Sequence, residues 1–119
     1  KYRIILPVNG ERNDPAGART ILTKDIFFIL FYMKFEYDPA KSSSNKVKHG
    51  LDFEEAKGLW SDEDLLVMPL NFEDEPRKAC VGVLGGKCWT AIITCRHTSV
   101  RLISVRRARK DEVAAYESE

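Results

Sequence analysis

Residues 77–107 read RKACVGVLGGKCWTAIITCRHTSVRLISVRR, and this stretch decides the fold. Two largely apolar segments, 77–84 and 87–96, flank Gly85-Gly86. This dipeptide is typical of a two-residue hairpin turn, because glycine accepts the positive φ angles that such turns need. The stretch therefore predicts an antiparallel β-hairpin.

The hairpin is flanked by further predicted elements. A second turn at 97–99 leads into a strand over 100–106, and a closing helix follows over roughly 109–117. Before the hairpin, the short apolar run 65–70 predicts another strand. Antiparallel strands joined by short turns form a meander.

The chain before this meander begins with a strand and a helix. The alternation of Lys34-Phe35-Glu36-Tyr37 is typical of a short strand. Asp38 occupies an N-cap position, with Pro39 at the first helical position, where its missing N–H costs nothing. Gly50 is typical of a helix end, so we expect a helix over 40–48.

A second helix is indicated by the capping-box spacing of Asp52 and Glu55 and is expected over 53–60. The strands and helices thus fall in separate runs along the chain. This order predicts an α+β fold in which the helices lie on one face of an antiparallel sheet.

The composition allows one folded core. The chain has 119 residues, of which 44% are hydrophobic and 31% are charged. The longest apolar run, 26–33, is about eight residues, well short of the ~20 of a membrane helix, and no signal-peptide cleavage site follows it. Cys80, Cys88 and Cys95 form neither a zinc pattern nor an even disulfide framework. We therefore expect a cytoplasmic protein without a membrane partner.

The first 32 residues differ from the rest. Residues 9–17 are rich in Asn, Asp, Pro and Gly, as in a loop, and 26–32 could be a buried strand, a docking segment or the start of a helix. We predict an N-terminal extension over 1–32, upstream of a natural start at Met33, and a domain over 33–119. The alternative is a genuine N-terminal arm.

Basic residues are concentrated in one part of the chain. Between residues 76 and 110 there are nine basic side chains and no acidic one: Arg77, Lys78, Lys87, Arg96, Arg101, Arg106, Arg107, Arg109 and Lys110. Such a stretch favours a cationic surface for a polyanion. The alternative is that these residues pair with the acidic side chains elsewhere in the chain.

Alternation along the last strand predicts where its arginines lie. One face would carry Arg101 and Arg107, and the other face would carry Arg106. Arg96 ends the preceding strand, across the turn from Arg101. Arginines at the ends of these strands could therefore gather on one rim of the sheet.

These residue types are sufficient to cleave RNA without a metal ion. RNA carries its own nucleophile, the 2′-hydroxyl, so an enzyme has to align it, move protons and neutralise the charge that develops at phosphorus. Guanidinium groups suit the charge, and an imidazole can transfer a proton near neutral pH. His49 could serve there, or could simply be a cation at the end of a helix.

Several segments resemble the BrnT family of toxins. The opening resembles FEWDxxKxxxNxxKHGxxFEEA, the middle ExRxxxxG and the end RIISARxAxxxExxxY. The matching residues are Phe35-Glu36-Tyr37-Asp38, Lys41, Asn45, Lys48-His49-Gly50, Phe53-Glu54-Glu55-Ala56, Glu75-Pro76-Arg77, Gly82, Arg101 to Ala108, Glu112 and Tyr116. Tyr37, Leu102 and Val105 depart conservatively from the pattern. The resemblance spans about 33–117.

This resemblance implies a RelE-like fold and a ribonuclease toxin of a type II toxin–antitoxin module that inhibits translation. It also implies a BrnA-like antitoxin partner, whose dimer carries the part that binds operator DNA.

We combine these inferences into one prediction, a metal-independent endoribonuclease that uses no cofactor. Arg96 and Arg106 would neutralise transition-state charge, and Arg77 would position the phosphate. His49 is the acid/base candidate. The remaining residues would bind the RNA backbone: Lys48, Arg101 and Arg107.

Two other hypotheses remain open. The same cationic stretch would serve a nucleic-acid-binding or regulatory module without catalysis, whose affinity falls steeply with salt. It would also serve a surface whose main role is to recruit an acidic protein partner.

Overall fold

The computed structural model describes residues 3–4, 34–70, 76–96 and 99–118. Within these residues the helices and strands are, in chain order, β1 (Arg3–Ile4), β2 (Lys34–Glu36), α1 (Pro39–His49), α2 (Phe53–Ala56), a 3₁₀ turn (Lys57–Ser61), β3 (Leu66–Leu70), β4 (Arg77–Leu84), β5 (Lys87–Arg96), β6 (Ser99–Arg107) and α3 (Lys110–Glu117). The fold is α+β, as predicted.

The described strands form one sheet in the order β1-β3-β4-β5-β6-β2. The four central strands are antiparallel, as predicted, and Gly85 and Gly86 make the predicted turn with φ of 64° and 78°. Both edge strands are parallel to their neighbours, so the prediction of an antiparallel sheet is wrong at the edges. The reason is that β2 reaches β6 through a long connection, and no hairpin turn forces it to run antiparallel.

The predicted helix caps are confirmed. At the start of α1, the Ala40 amide donates to Asp38 Oδ1 at 2.9 Å, and Gly50 ends the helix with a φ of 88°. At α2 the Glu55 amide donates to Asp52 Oδ1 at 2.7 Å, while the Asp52 amide donates to Glu55 Oε1 at 3.0 Å. These reciprocal bonds satisfy backbone donors that the first turn of a helix leaves unpaired.

The second helix is shorter than predicted, because it tightens into the 3₁₀ turn after Ala56. This turn buries Leu59 and Trp60 side by side in the core. Gly58 lies so close to β4 that an added Cβ would come within 2.9 Å of Leu84 Cδ1. The close contact of Gly58 with the sheet thus occurs where the α-helical winding changes to 3₁₀ winding.

The hydrophobic core lies between one face of the sheet and the segment that contains α2 and the 3₁₀ turn. We name this face the core face, and its strand residues are Val67, Cys80, Trp89, Ala91, Ile93, Val100, Leu102 and Val105. Phe53 from α2 packs against them. The Trp60 ring meets the Phe35 ring of β2 edge to face, with 5.0 Å between centroids.

The register between β5 and β6 shifts by one residue and decides which way the arginines point. Ile93 pairs with Leu102 but Ile92 pairs with Ser104, so Ile103 has no partner. A one-residue bulge exchanges the faces of all residues beyond it. Arg101 and Arg106 therefore share the face opposite the core face, and the predicted grouping of Arg101 with Arg107 is wrong.

The C-terminal helix lies on this opposite face, which we name the α3 face. Its Glu112 accepts a hydrogen bond from Thr90, which occupies the α3 face of β5. The prediction that all helices lie on one face is therefore wrong for α3. No residue of α3 is fully buried, and Glu112 and Tyr116 anchor this helix through polar contacts.

Asn45 of α1 completes the edge of β6. The described pairs of β2 reach β6 only as far as Arg101. Farther along, Asn45 Nδ2 donates to the Val105 carbonyl at 2.8 Å, and the Val105 amide donates to Asn45 Oδ1 at 3.2 Å. The side-chain amide thus replaces a neighbouring strand at this residue.

Several predictions fall on residues outside the described ranges. These include the turn at 97–98 and nearly all of the extension over 1–32, so the boundary at Met33 stays a prediction. Among the described helices, none is long and apolar enough to span a bilayer.

Candidate nucleic-acid interface

Four basic residues lie together on the α3 face, at the end of the sheet where β5 stops and β6 begins. We name them the basic cluster: Lys34, Arg77, Arg96 and Arg101. Lys34 pairs with Ser99 of β6, and Ser99 pairs with Arg96 of β5. Lys34 and Arg96 are exposed, and Arg77 and Arg101 are half-buried.

The centre of the basic cluster is Thr94. Arg101 pairs directly with Thr94, and continuing the β4–β5 register by one residue places Arg77 on its other side. Thr94 is buried, and its hydroxyl donates to the Pro76 carbonyl at 2.8 Å, which ties the start of β4 to β5. With strands ~4.8 Å apart, the backbones of Arg77 and Arg101 are separated by about 10 Å. Two arginine side chains at this spacing can reach one phosphate group between them.

An acidic residue borders the basic cluster. Glu36 pairs with Arg101 across the β2–β6 edge, and its Oε1 lies 3.3 Å from Arg101 Nη1. Both side chains keep more than 30% of their surface exposed, at 39% and 33%. Neither is therefore withdrawn from a ligand on this face.

Arg106 is engaged in a different way. Its Nη1 and Nη2 each donate to a Glu112 oxygen at 2.8 Å, in a bidentate pair. Glu112 also accepts from Thr90 at 2.9 Å and from the Arg109 amide at 2.8 Å. The hydrogen bonds from Arg106, followed by those from Arg109 and Thr90, lower the pKa of Glu112 to about 2, against an opposing effect of burial. Arg106 thus anchors α3 to the sheet.

A second contact anchors the far end of α3. Tyr116 donates from its hydroxyl to Asp62 Oδ2 at 2.6 Å, and the Val83 amide donates to the same oxygen at 2.8 Å. Burial and this hydrogen bond raise the pKa of Tyr116. Asp62 therefore joins the segment after the 3₁₀ turn to both β4 and α3.

Arg107 lies on the core face. Its guanidinium stacks over the Trp89 ring, with 5.6 Å to the ring centroid. Arg107 is exposed, but it points away from the α3 face on which the basic cluster lies. The shift in register at Ile103 is the cause of this separation.

Lys48 and His49 are exposed at the C-terminal end of α1. This helix begins close to the β2–β6 pair, and Asn45 reaches Val105, so it runs along β6 towards Arg107. Lys48 and His49 therefore lie towards the end of the sheet opposite the basic cluster.

The structure divides the predicted site residues into two groups. Arg77, Arg96 and Arg101 come together. Arg106 pairs with Thr90, four residues along β5 from Thr94, which corresponds to about 14 Å. The remaining predicted residues lie towards Arg106 or on the core face: Lys48, His49 and Arg107.

Sequence reasoning overlooked Lys34 and Glu36 as site residues. The alternation over 34–37 was a usable signal, because Phe35 packs in the core and its two neighbours must therefore face the other way. The alternation could not show which strand lies beside Lys34 and Glu36. Within the described residues, no group of three or more His, Cys, Asp or Glu side chains is arranged to hold a metal ion.

Residues 37–112 match a family described as the ribonuclease toxin BrnT of type II toxin–antitoxin systems. The chain belongs to the BrnT family. The match covers more than half of the chain and includes Arg77, Arg96 and Arg101. No individual curated protein matches the chain.

Membership of the BrnT family makes the chain a type II ribonuclease toxin. Three residues that carry its resemblance to BrnT toxins at the C-terminal end have structural partners here. Arg106 binds Glu112, and Tyr116 binds Asp62. Part of the BrnT resemblance therefore reflects the docking of α3.

Proposed function

We propose that this toxin is an endoribonuclease that cleaves RNA through the 2′-hydroxyl, without a metal ion or cofactor, and so inhibits translation. The observation that supports this proposal best is the convergence of Arg77, Arg96 and Arg101 around Thr94. Fixed cations aimed at a scissile phosphate stabilise the charge that develops in the transition state.

The geometry suggests separate roles for the arginines. We assign Arg96 and Arg101 to transition-state charge and Arg77 to positioning of the phosphate. Arg106 would act by holding α3 in place, since both of its terminal nitrogens are occupied by Glu112. An RNA strand that continues beyond the basic cluster could reach Lys48, His49 and Arg107, which we retain as candidate backbone contacts.

A BrnA-like antitoxin is the proposed protein partner, in the cytoplasm. The type II toxin–antitoxin family supports a protein antitoxin, and a cationic surface favours a partner segment that carries acidic residues. Such a segment would cover the basic cluster and exclude RNA. The antitoxin dimer would carry the operator-binding part of the complex. We also assign the fold to the RelE-like class, supported by four antiparallel strands behind two N-terminal helices.

The experiment is an RNA cleavage assay in excess EDTA with purified protein. We expect discrete fragments with 2′,3′-cyclic phosphate ends from the wild type, and a loss of about 10²–10³ in rate for Arg96→Ala or Arg101→Ala. Lys110→Ala, which removes an exposed cation at the start of α3, is the matched control and should cleave normally.

Three results would contradict the proposal or its site. Fragments that disappear when EDTA is added would indicate a metal-dependent nuclease. RNA binding without any fragments would favour the alternative, a nucleic-acid-binding or regulatory module without catalysis. Full activity in both arginine variants would show that the basic cluster is not the site.

A further inference from the structure

The ribonuclease reaction requires a group that accepts the proton of the 2′-hydroxyl, and the basic cluster itself has none. Arginine and lysine side chains are protonated near neutral pH and can only donate. A general base must lie within hydrogen-bond reach of the reacting oxygen, beside the cations that hold the phosphate. Such a base would have to lie at the border of the basic cluster.

Among the described residues, Glu36 is a carboxylate at this border. Its Oε1 contacts Arg101 Nη1 at 3.3 Å, and 39% of the side chain is exposed. The parallel register of β2 and β6 places it directly opposite Arg101, on the same face as Arg96. A ligand phosphate between Arg77 and Arg101 would therefore bring its ribose close to this side chain.

Three other candidate bases in the described residues bind other groups or lie elsewhere. Glu112 already accepts four hydrogen bonds, two of them from Arg106. Glu54 binds Tyr37 and Lys57, beside the aromatic side chains that pack against the core. His49 lies towards the opposite end of the sheet.

The contact between Glu36 and Arg101 adds little to the stability of the fold. A half-exposed ion pair contributes little to stability, because water competes for both partners. It does, however, hold a carboxylate beside an arginine that could bind phosphate.

We propose that Glu36 is the general base of the reaction, an inference that rests on the ribonuclease function proposed above. A Glu36 carboxylate oxygen takes the proton of the 2′-hydroxyl while the ribose 2′-oxygen forms a bond to phosphorus. The bond from phosphorus to the 5′-oxygen breaks, and the 5′-oxygen takes a proton from water. The products are a 2′,3′-cyclic phosphate and a 5′-hydroxyl, and Glu36 then returns its proton to solvent.

The first test compares wild type, Glu36→Gln and Glu63→Gln on one RNA substrate in EDTA. Glutamine keeps the shape and a carbonyl that can still accept from Arg101, but it cannot take a proton. We expect kcat to fall by about 10²–10⁴ with KM little changed. The rise of rate with pH that a carboxylate base produces should also disappear. Glu63 is an exposed carboxylate in the turn before β3, and its variant should behave as wild type.

The second test separates a base from a residue that only positions Arg101. The Glu36→Ala variant should recover activity when formate or acetate is added, in proportion to the concentration of the anion. A purely structural role would give no such rescue.

The outcomes separate the two proposals. Wild-type cleavage with an unchanged Glu36→Gln variant overturns the base assignment alone. A slow variant that retains the wild-type pH profile and shows no rescue by formate overturns it as well. Absence of cleavage by the wild type in EDTA would overturn the ribonuclease proposal, and this one with it.

Discussion

Replacement of Glu112 by glutamine should weaken the fold in a way that depends on pH. In the structure, Glu112 accepts two hydrogen bonds from Arg106, one from Thr90 and one from the Arg109 amide, and only 13% of its side chain is exposed. Glutamine preserves the size of the side chain but removes the charge and one acceptor oxygen. Its amide would also place donors opposite the guanidinium.

The magnitude follows from the pKa of Glu112, which falls from an ordinary value of 4.5 to about 2 in the folded protein. At 1.36 kcal/mol per unit, this difference contributes about 3 kcal/mol to the free energy of unfolding. Because the folded pKa is depressed, the contribution is complete above pH 4.5 and is lost as the pH falls through 2. At pH 3 about half of it should remain. We therefore expect Glu112→Gln to cost about 3 kcal/mol at pH 7 and about half as much at pH 3.

The assay is urea unfolding followed by tryptophan fluorescence, since Trp60 and Trp89 are both buried. With a slope of about 2 kcal/mol per molar urea, the midpoint at pH 7 should fall by about 1.5 M. Glu117→Gln, an exposed substitution on the same helix, should shift stability by less than about 0.5 kcal/mol. A difference under 0.5 kcal/mol for Glu112→Gln at pH 7, or one that is equal at pH 3 and pH 7, would refute the reasoning.

Three further predictions follow from other contacts. Asn45→Ala should destabilise the fold by about 3 kcal/mol in the same assay, because it leaves the backbone polar groups at the β6 edge without partners. Ser44→Ala, on the exposed side of α1, should have little effect. Equal losses of stability in the two variants would contradict the edge-capping role of Asn45. Gly82→Ala should reduce the free energy of unfolding by about 1–3 kcal/mol through overpacking, and so lower the melting temperature, since its Cβ would lie 2.8 Å from Leu65 Cδ1. An unchanged melting temperature would show that the core can yield there. The logarithm of RNA affinity should fall linearly with the logarithm of salt concentration. Arg96→Ala should reduce the slope of this line by about 1. An unaltered slope would place Arg96 away from the phosphates.

Local elements could be predicted from the sequence with nearly correct bounds. The cap at Asp38, the capping box of Asp52 with Glu55, and the Gly85-Gly86 turn all occur as expected. Each of these features depends on residues within a few positions of one another, so both interacting partners lie in the same short segment of the sequence. The predicted bounds of β4 and β5 are likewise confirmed.

The direction and placement of distant elements could not be predicted in the same way. The parallel pairing of β2 with β6 joins residues about 65 positions apart, as in Glu36 with Arg101. The face occupied by α3 depends on the contact of Glu112 with Thr90, which lies on another strand. No local pattern specifies such partners, because they are chosen by the packing of the whole sheet.

In the candidate site too, some features could be predicted from the sequence and others could not. The sequence indicated arginines at strand ends, and three of them do converge at Thr94. Strict alternation failed at Ile103, where one unpaired residue moved Arg106 to the face of Arg101 and left Arg107 on the core face. Arg106 lies about 14 Å along the sheet from Thr94 and binds Glu112, so it is not part of the basic cluster.

By itself, the sequence determined the α+β class, the helix caps, the central hairpin and the concentration of positive charge in the second half of the chain. These features arise from backbone preferences, short-range hydrogen bonds and composition, which operate before any long-range contact forms. The tertiary structure alone decided which cations share a surface, since that depends on strand register and on one bulge. It also brought Glu36 beside Arg101, because two strands that are far apart in the sequence pair at the edge of the sheet.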